Sequence, residues 1–137
     1  MLCDDWFKVS FLKSLDQLEN INWPDDSYDS SLGSRVRGYC KLPLDRLSVE
    51  ALRLLISQKI GLIHIVPIAL DMLERDILSA GDLYDGDLLQ AVSSVDDEFW
   101  LEHALLNNRL VELRFEVEIL QETINELLPK LQKRNFV

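Results

Sequence analysis

The sequence predicts an all-α fold, a compact bundle of about five to seven helices closed by a long, heptad-patterned C-terminal helix. Three observations predict it. Apolar residues recur at spacings of three and four through most of the chain, and no period-two stretch competes with them. Gly and Pro number only five and four in 137 residues, too little punctuation for a many-stranded fold. At this length, with 47% hydrophobic residues, one core closes without disulfide or metal, so the chain reads as a single domain, 1–137.

Taken in order, Phe11, Leu12, Leu15 and Leu18 form the first helical stripe, which stops at Asn20 before an irregular loop running from Asn22 through Trp23-Pro24-Asp25-Asp26 to Ser30. Residues 30–40 read as a second helix capped at Ser30 or Ser31, with Leu32, Val36 and Tyr39 turned inward. Gly33 and Gly38 weaken it, and Pro43 lies beyond its end. Ser48 is a strong N-cap, with Leu47 and Leu52 at the two positions of a hydrophobic staple, so a helix covers about 48–60. Gly61 stops it. Leu62, Ile65, Val66, Ala69, Leu70 and Leu73 then mark an enclosed helix that tolerates Pro67 near its first turn or kinks there.

The stretch Gly81-Asp82-Leu83-Tyr84-Asp85-Gly86-Asp87 reads as a polar turn, with Asp85 as N-cap of the next helix and Tyr84 and Leu89 as its staple. Asp96 repeats the device with Val95 and Trp100. Leu106, Leu110, Leu113, Val117, Leu120, Ile124, Leu127 and Leu131 then alternate spacings of four and three, a heptad seam with Leu110, Val117, Ile124 and Leu131 at a positions and the others at d. Such a seam allows a homodimer through 106–131. Val111, Phe115 and Ile119 widen the apolar face beyond a coiled-coil stripe and Pro129 interrupts its last turn, which favours packing on the chain's own core.

Charge is segmented. The formal net charge is −10, and residues 61–104 carry ten acidic and one basic group, whereas residues 35–60 carry six basic and two acidic. A surface this acidic repels nucleic acid and steers a basic protein toward itself. Arg35, Arg37, Lys41, Arg46, Arg53 and Lys59 read as internal counter-charge. The apolar run Ile60–Leu73 holds His64, Pro67 and Asp71 and falls short of the roughly 20 residues that span a bilayer, so no membrane partner is expected. Met1–Lys13 lacks the basic start and clean apolar stretch of an export signal. With only Cys3 and Cys40, the chain reads as reduced and cytoplasmic.

No catalytic or cofactor chemistry is expected. There is no G-x-S-x-G, P-loop, G-x-G-x-x-G or H-E-x-x-H, and His64 and His103 have no companions at ligand or triad spacing. Asp82, Asp85 and Asp87 are the one group that could hold a hard cation. Their order departs from the calcium loop and lacks its distal Glu, and helix capping explains them without metal. The chain therefore reads as a non-enzyme with no metal and no cofactor.

Several blocks in one order carry a resemblance. Lys13-Ser14-Leu15-Asp16-Gln17-Leu18-Glu19-Asn20 precedes Trp23-Pro24-Asp25-Asp26-Ser27-Tyr28-Asp29-Ser30-Ser31-Leu32. Lys41-Leu42-Pro43-Leu44, Leu47 to Ile56, Gln58 to Leu62, Val66 to Leu70, Gly81 to Leu89 and Glu98-Phe99-Trp100 follow. Over residues 13–100 this pattern resembles the immunity proteins of bacterial contact-dependent growth inhibition systems, with 104–137 as a C-terminal helical extension outside it. The resemblance implies an antidote that binds the cognate C-terminal toxin domain, often a nuclease, and blocks its active site or substrate path. Under that reading the toxin-binding candidates are Asp82, Asp85, Asp87, Asp97, Glu98 and Glu102, with the acidic loop Asp25, Asp26 and Asp29 as a second place to look. The other reading is an acidic helical adaptor or regulator that dimerises through its C-terminal helix.

Overall fold

The computed structural model of the chain describes residues 11–20 and 31–134. Among them are seven α-helices and no strand: α1 Leu15–Glu19, α2 Ser31–Lys41, α3 Val49–Ser57, α4 Leu62–Arg75, α5 Asp87–Ser93, α6 Asp97–Glu102 and α7 Ala104–Gln132. A 3₁₀ turn, Leu44–Arg46, sits between α2 and α3. The all-α expectation holds. The chain falls into two compact units divided between Asp96 and Asp97.

In the first unit α1 and α3 begin where a serine side chain satisfies a free N–H group, whereas α4 and α5 begin at the left-handed glycines Gly61 and Gly86 with no side-chain cap. Ser14 caps α1 in a full capping box: its Oγ accepts from Gln17 N–H at 3.3 Å and its own N–H donates to Gln17 Oε1 at 2.9 Å. That box fixes the start of α1 at Leu15, and Phe11, the first residue of the stripe read from the sequence, lies outside α1. Ser48 caps α3 by accepting from Ala51 N–H at 3.1 Å, as its sequence position predicts. On α2 the buried positions are Gly33, Val36 and Cys40, while Leu32 is exposed. The inward face keeps Val36 but takes Gly33 and Cys40 in place of Leu32 and Tyr39.

Helix α3 is the hub of this unit, packing against α2, α4 and α5. Ala51, Leu52, Leu54, Leu55 and Ile56 are all buried, which only an enclosed helix can do. Its partner α4 buries Ile65, Val66, Ala69, Leu70 and Leu73, five of the six stripe residues read from the sequence. Helix α4 runs through Pro67, which costs it the one hydrogen bond a proline cannot donate.

The turn between α3 and α4 depends on one glycine. Gly61 has φ 62°, and a Cβ there would lie 2.6 Å from Cδ2 of Leu15, itself fully buried. Gly61→Ala thus combines a left-handed backbone with overpacking of α1, and should destabilise the fold by roughly 2 to 4 kcal/mol. Denaturant melts should show it, and a variant as stable as the parent would contradict the reading.

The second unit holds α6 and α7. Phe99 meets Trp100 edge-on, with ring centroids 5.3 Å apart, and stacks on His103 at 4.4 Å. Trp100 is buried, in keeping with a structural role. Along α7, Leu113 is the one buried residue, and every residue from 121 to 134 is exposed. Along the seam Val117, Ile124, Leu127 and Leu131 are exposed. Among the described residues no helix is long and apolar enough to cross a membrane.

Candidate functional site

The best-built polar feature of the first unit is a knot of charges around Glu50. Arg53, one helical turn along α3, donates from Nε to Glu50 Oε2 at 2.8 Å and from its guanidinium to Oε1. Arg35 reaches across from α2 to the same Oε1 at 3.2 Å, and the backbone N–H of Asp82 donates to Oε2 at 2.8 Å. Glu50 is 7% exposed, so these partners replace water. The Arg53 hydrogen bond above all, helped by the Asp82 N–H and by Arg35, outweighs burial and holds the carboxyl down at about 2.

Asp87 completes the knot. It is 2% exposed, accepts from Gly81 N–H at 2.7 Å and Leu83 N–H at 3.1 Å, and lies 3.7 Å from Arg53 Nε. Two buried carboxylates thus grip the backbone of residues 81–83. No side chain fits at Gly81, since a Cβ there would run into Glu50 and stand 3.1 Å from Asp87. The result is a fixed loop whose tip, Asp82-Leu83-Tyr84-Asp85, is exposed at all four residues. Leu83 is 62% and Tyr84 55% exposed. Beside the tip lies a cleft of about 260 Å³, lined by Ile56, Lys59, Leu83, Tyr84, Ala91 and Val95 among others.

This corrects the sequence reading of Tyr84. Gly86, with φ 91°, occupies the N-cap and α5 starts at Asp87, one residue later than a cap at Asp85 would give. The staple position before the cap then falls on Asp85, which has no apolar side chain to place there. Tyr84 is freed from helix packing and stands beside Leu83 at the tip. Nothing in the local pattern distinguishes this from a staple. The deciding interaction, Glu50 with Asp82 N–H, spans 32 positions.

The candidate residues now have places. Asp82 and Asp85 flank the exposed tip, and Asp97, Glu98 and Glu102 are exposed on α6 in the second unit. Asp87 is buried and committed to the loop backbone, so it presents no carboxylate to a partner. Asp25, Asp26 and Asp29 lie outside the described residues, as do Trp23 and Tyr28. The counter-charge role read for the basic segment is visible at Arg35, Arg53 and Lys59, the last donating to Asp96 at 3.0 Å.

Among the described residues, Cys40, His103 and His64 are each held in local contacts. Cys40 is a free, fully buried thiol. Burial first, then the nearby charges of Asp16 and Glu19, pushes it up to about 11, which keeps it protonated and unreactive near neutral pH. His103 places Nδ1 2.8 Å from the Phe99 carbonyl, and His64 places Nε2 4.0 Å from Glu19 Oε1. Among the described residues no three His, Cys, Asp or Glu side chains gather as a metal site.

A fixed acidic tip with two exposed apolar residues suits recognition, since anchors rimmed by charge are the usual anatomy of a binding patch. Comparison with known families gives the patch its context. Residues 17–110 match the family described as CDI immunity proteins. Neither the curated proteins nor the solved structures gave a match. The matched span includes the capping box from Gln17 on, the α3 hub, the Glu50 knot, the tip and α6. It therefore covers well over half of the chain and every described candidate residue, and the chain belongs to the family of CDI immunity proteins.

Proposed function

We propose that this chain is a cytoplasmic antidote that neutralises the C-terminal nuclease domain of its cognate toxin by standing in the active site or substrate path. Family membership carries the immunity role. The charge pattern supports the finer reading, since residues 61–104 hold ten acidic groups against one basic group. Nucleases present basic grooves to phosphate, and an anionic partner is steered to that same surface. Exposed carboxylates, those of Asp82 and Asp85 in the first unit or of Asp97, Glu98 and Glu102 in the second, then occupy positions that substrate phosphates would take. The adaptor reading has only the exposed α7 seam behind it, and membership of an immunity family favours the antidote.

The test is co-purification with the C-terminal domain of the toxin encoded next to this gene, followed by titration of toxin activity. Inhibition should be stoichiometric, ending when the toxin is saturated, as expected of an inhibitor that blocks and does no catalysis. Failure to form a complex, or a saturated toxin that stays active, would refute the proposal. Inhibition at far below stoichiometric amounts would instead make the chain an enzyme acting on the toxin.

A further inference from the structure

We propose that the exposed distal half of α7 is an antiparallel homodimer seam, with two α7 helices crossing between Gln121 and Thr123 and each Glu116 paired with Lys130 of the second copy. This goes beyond the toxin-binding role and does not depend on it. Its basis is the combination of three features of α7: strict heptad spacing, solvent exposure beyond residue 120, and the charges that flank the stripe.

From Val117 onward the seam is Val117, Leu120, Ile124, Leu127 and Leu131. Four of these are exposed, Leu131 at 63% and Ile124 at 57%. The stripe runs for about 21 Å, at 1.5 Å per residue, and its 4–3 alternation is the period that a second helix, and not a flat surface, keeps in contact. In this heptad the e positions are Arg114, Gln121 and Leu128, and the g positions are Glu116, Thr123 and Lys130. Pro129 falls at f, on the outside, where its missing N–H and any local bend leave the seam intact.

The flanking charges choose among the arrangements. A parallel pair sets g against e, placing Arg109 beside Arg114 of the second copy and giving the exposed half no ion pair. An antiparallel pair sets g against g. Aligning Val117 with Leu120 of the second copy puts Lys130 against Arg109, two like charges. Aligning Val117 with Leu113 sets Glu116 against itself. Aligning Val117 with Leu127 and Leu120 with Ile124 builds four central layers from residues of the distal half, with Leu131 of each copy falling opposite Leu113 of the other. It gives two symmetric Glu116–Lys130 pairs.

A seam of this length buries roughly 1,000 Å² in total, at the low end for specific interfaces, so the dimer should be weak, with a dissociation constant of about 10 to 100 µM. Sedimentation equilibrium of the full chain should show reversible dimerisation in that range. Glu116→Lys and Lys130→Glu should each weaken it about tenfold by opposing like charges, and the double swap should restore it. Helix content by circular dichroism checks that each variant is folded. A chain that stays monomeric at about 200 µM, which is also what a seam reserved for another protein would give, overturns the proposal. So does a dimer indifferent to either reversal, or one that the double swap fails to rescue.

Discussion

Glu50→Ala should be among the most destabilising single substitutions in this chain, lowering stability by about 3 to 5 kcal/mol at neutral pH. The carboxylate is almost fully withdrawn from water and is shared by Arg35, Arg53 and the Asp82 N–H. Its removal leaves two guanidinium groups facing each other and strands a backbone donor, which is the costly way to break a buried charge network. For a chain of this size the loss corresponds to a fall in melting temperature of about 10 to 15 °C. Protection should fail as well, because residues 81–83 lose one of the three hydrogen bonds that fix the exposed tip.

The same group sets a pH signature. Its carboxyl is depressed in the folded chain, to about 2 from a usual value of about 4.5. A depressed acid contributes stability that is present above its unfolded value and lost as pH falls through the folded one. Wild-type stability should therefore decline between about pH 5 and pH 2, and the gap between wild type and Glu50→Ala should narrow over the same window. Glu50→Gln, which keeps an acceptor without charge, should fall between the two. A melting temperature within about 2 °C of wild type for Glu50→Ala would show that the knot is dispensable.

Local signals made most of the helices legible. Ser48 before an apolar period and the stripe from Leu62 to Leu73 each act within a few residues, and each stands where the sequence places it. Readings failed where a long-range contact overrode a local one. Tyr84 fits a staple by spacing, yet Glu50 and Asp87 take hold of the loop and Gly86 moves the helix start. Asp87 fails within a few residues instead, since a carboxylate in a first turn reads as a dipole partner until the N–H groups of Gly81 and Leu83, six and four residues back, are found to need it. Only the pair Glu50 and Arg53, three apart on a helix, was a local sign of the knot. The seam of α7 was legible as a heptad, but whether it packs inward or stays exposed depends on the surroundings, which spacing alone does not carry.

Reversing Asp97, Glu98 and Glu102 to Lys together should slow association with the toxin domain by about ten- to a hundredfold and abolish protection in a growth competition. All three are exposed on α6 while Trp100, on the same helix, is buried, so the substitutions change the field of this surface without entering the core. Three reversals shift the charge of the segment from −9 toward −3, the arithmetic being six units added to the count for residues 61–104. Electrostatic steering acts on the approach, so the loss should appear mainly in the association rate. Raising salt should slow the wild type and bring it toward the variant, because counter-ions screen exposed charges within about 10 Å at moderate ionic strength. Asp82→Lys with Asp85→Lys makes the matching test at the tip of the first unit, where the flanking Leu83 and Tyr84 add contact area, and there dissociation should quicken as well. If the folded triple variant associates at the wild-type rate and protects the cell fully, α6 is not the docking face. The charge pattern then directs the search to Asp82 and Asp85, and after them to Asp25, Asp26 and Asp29.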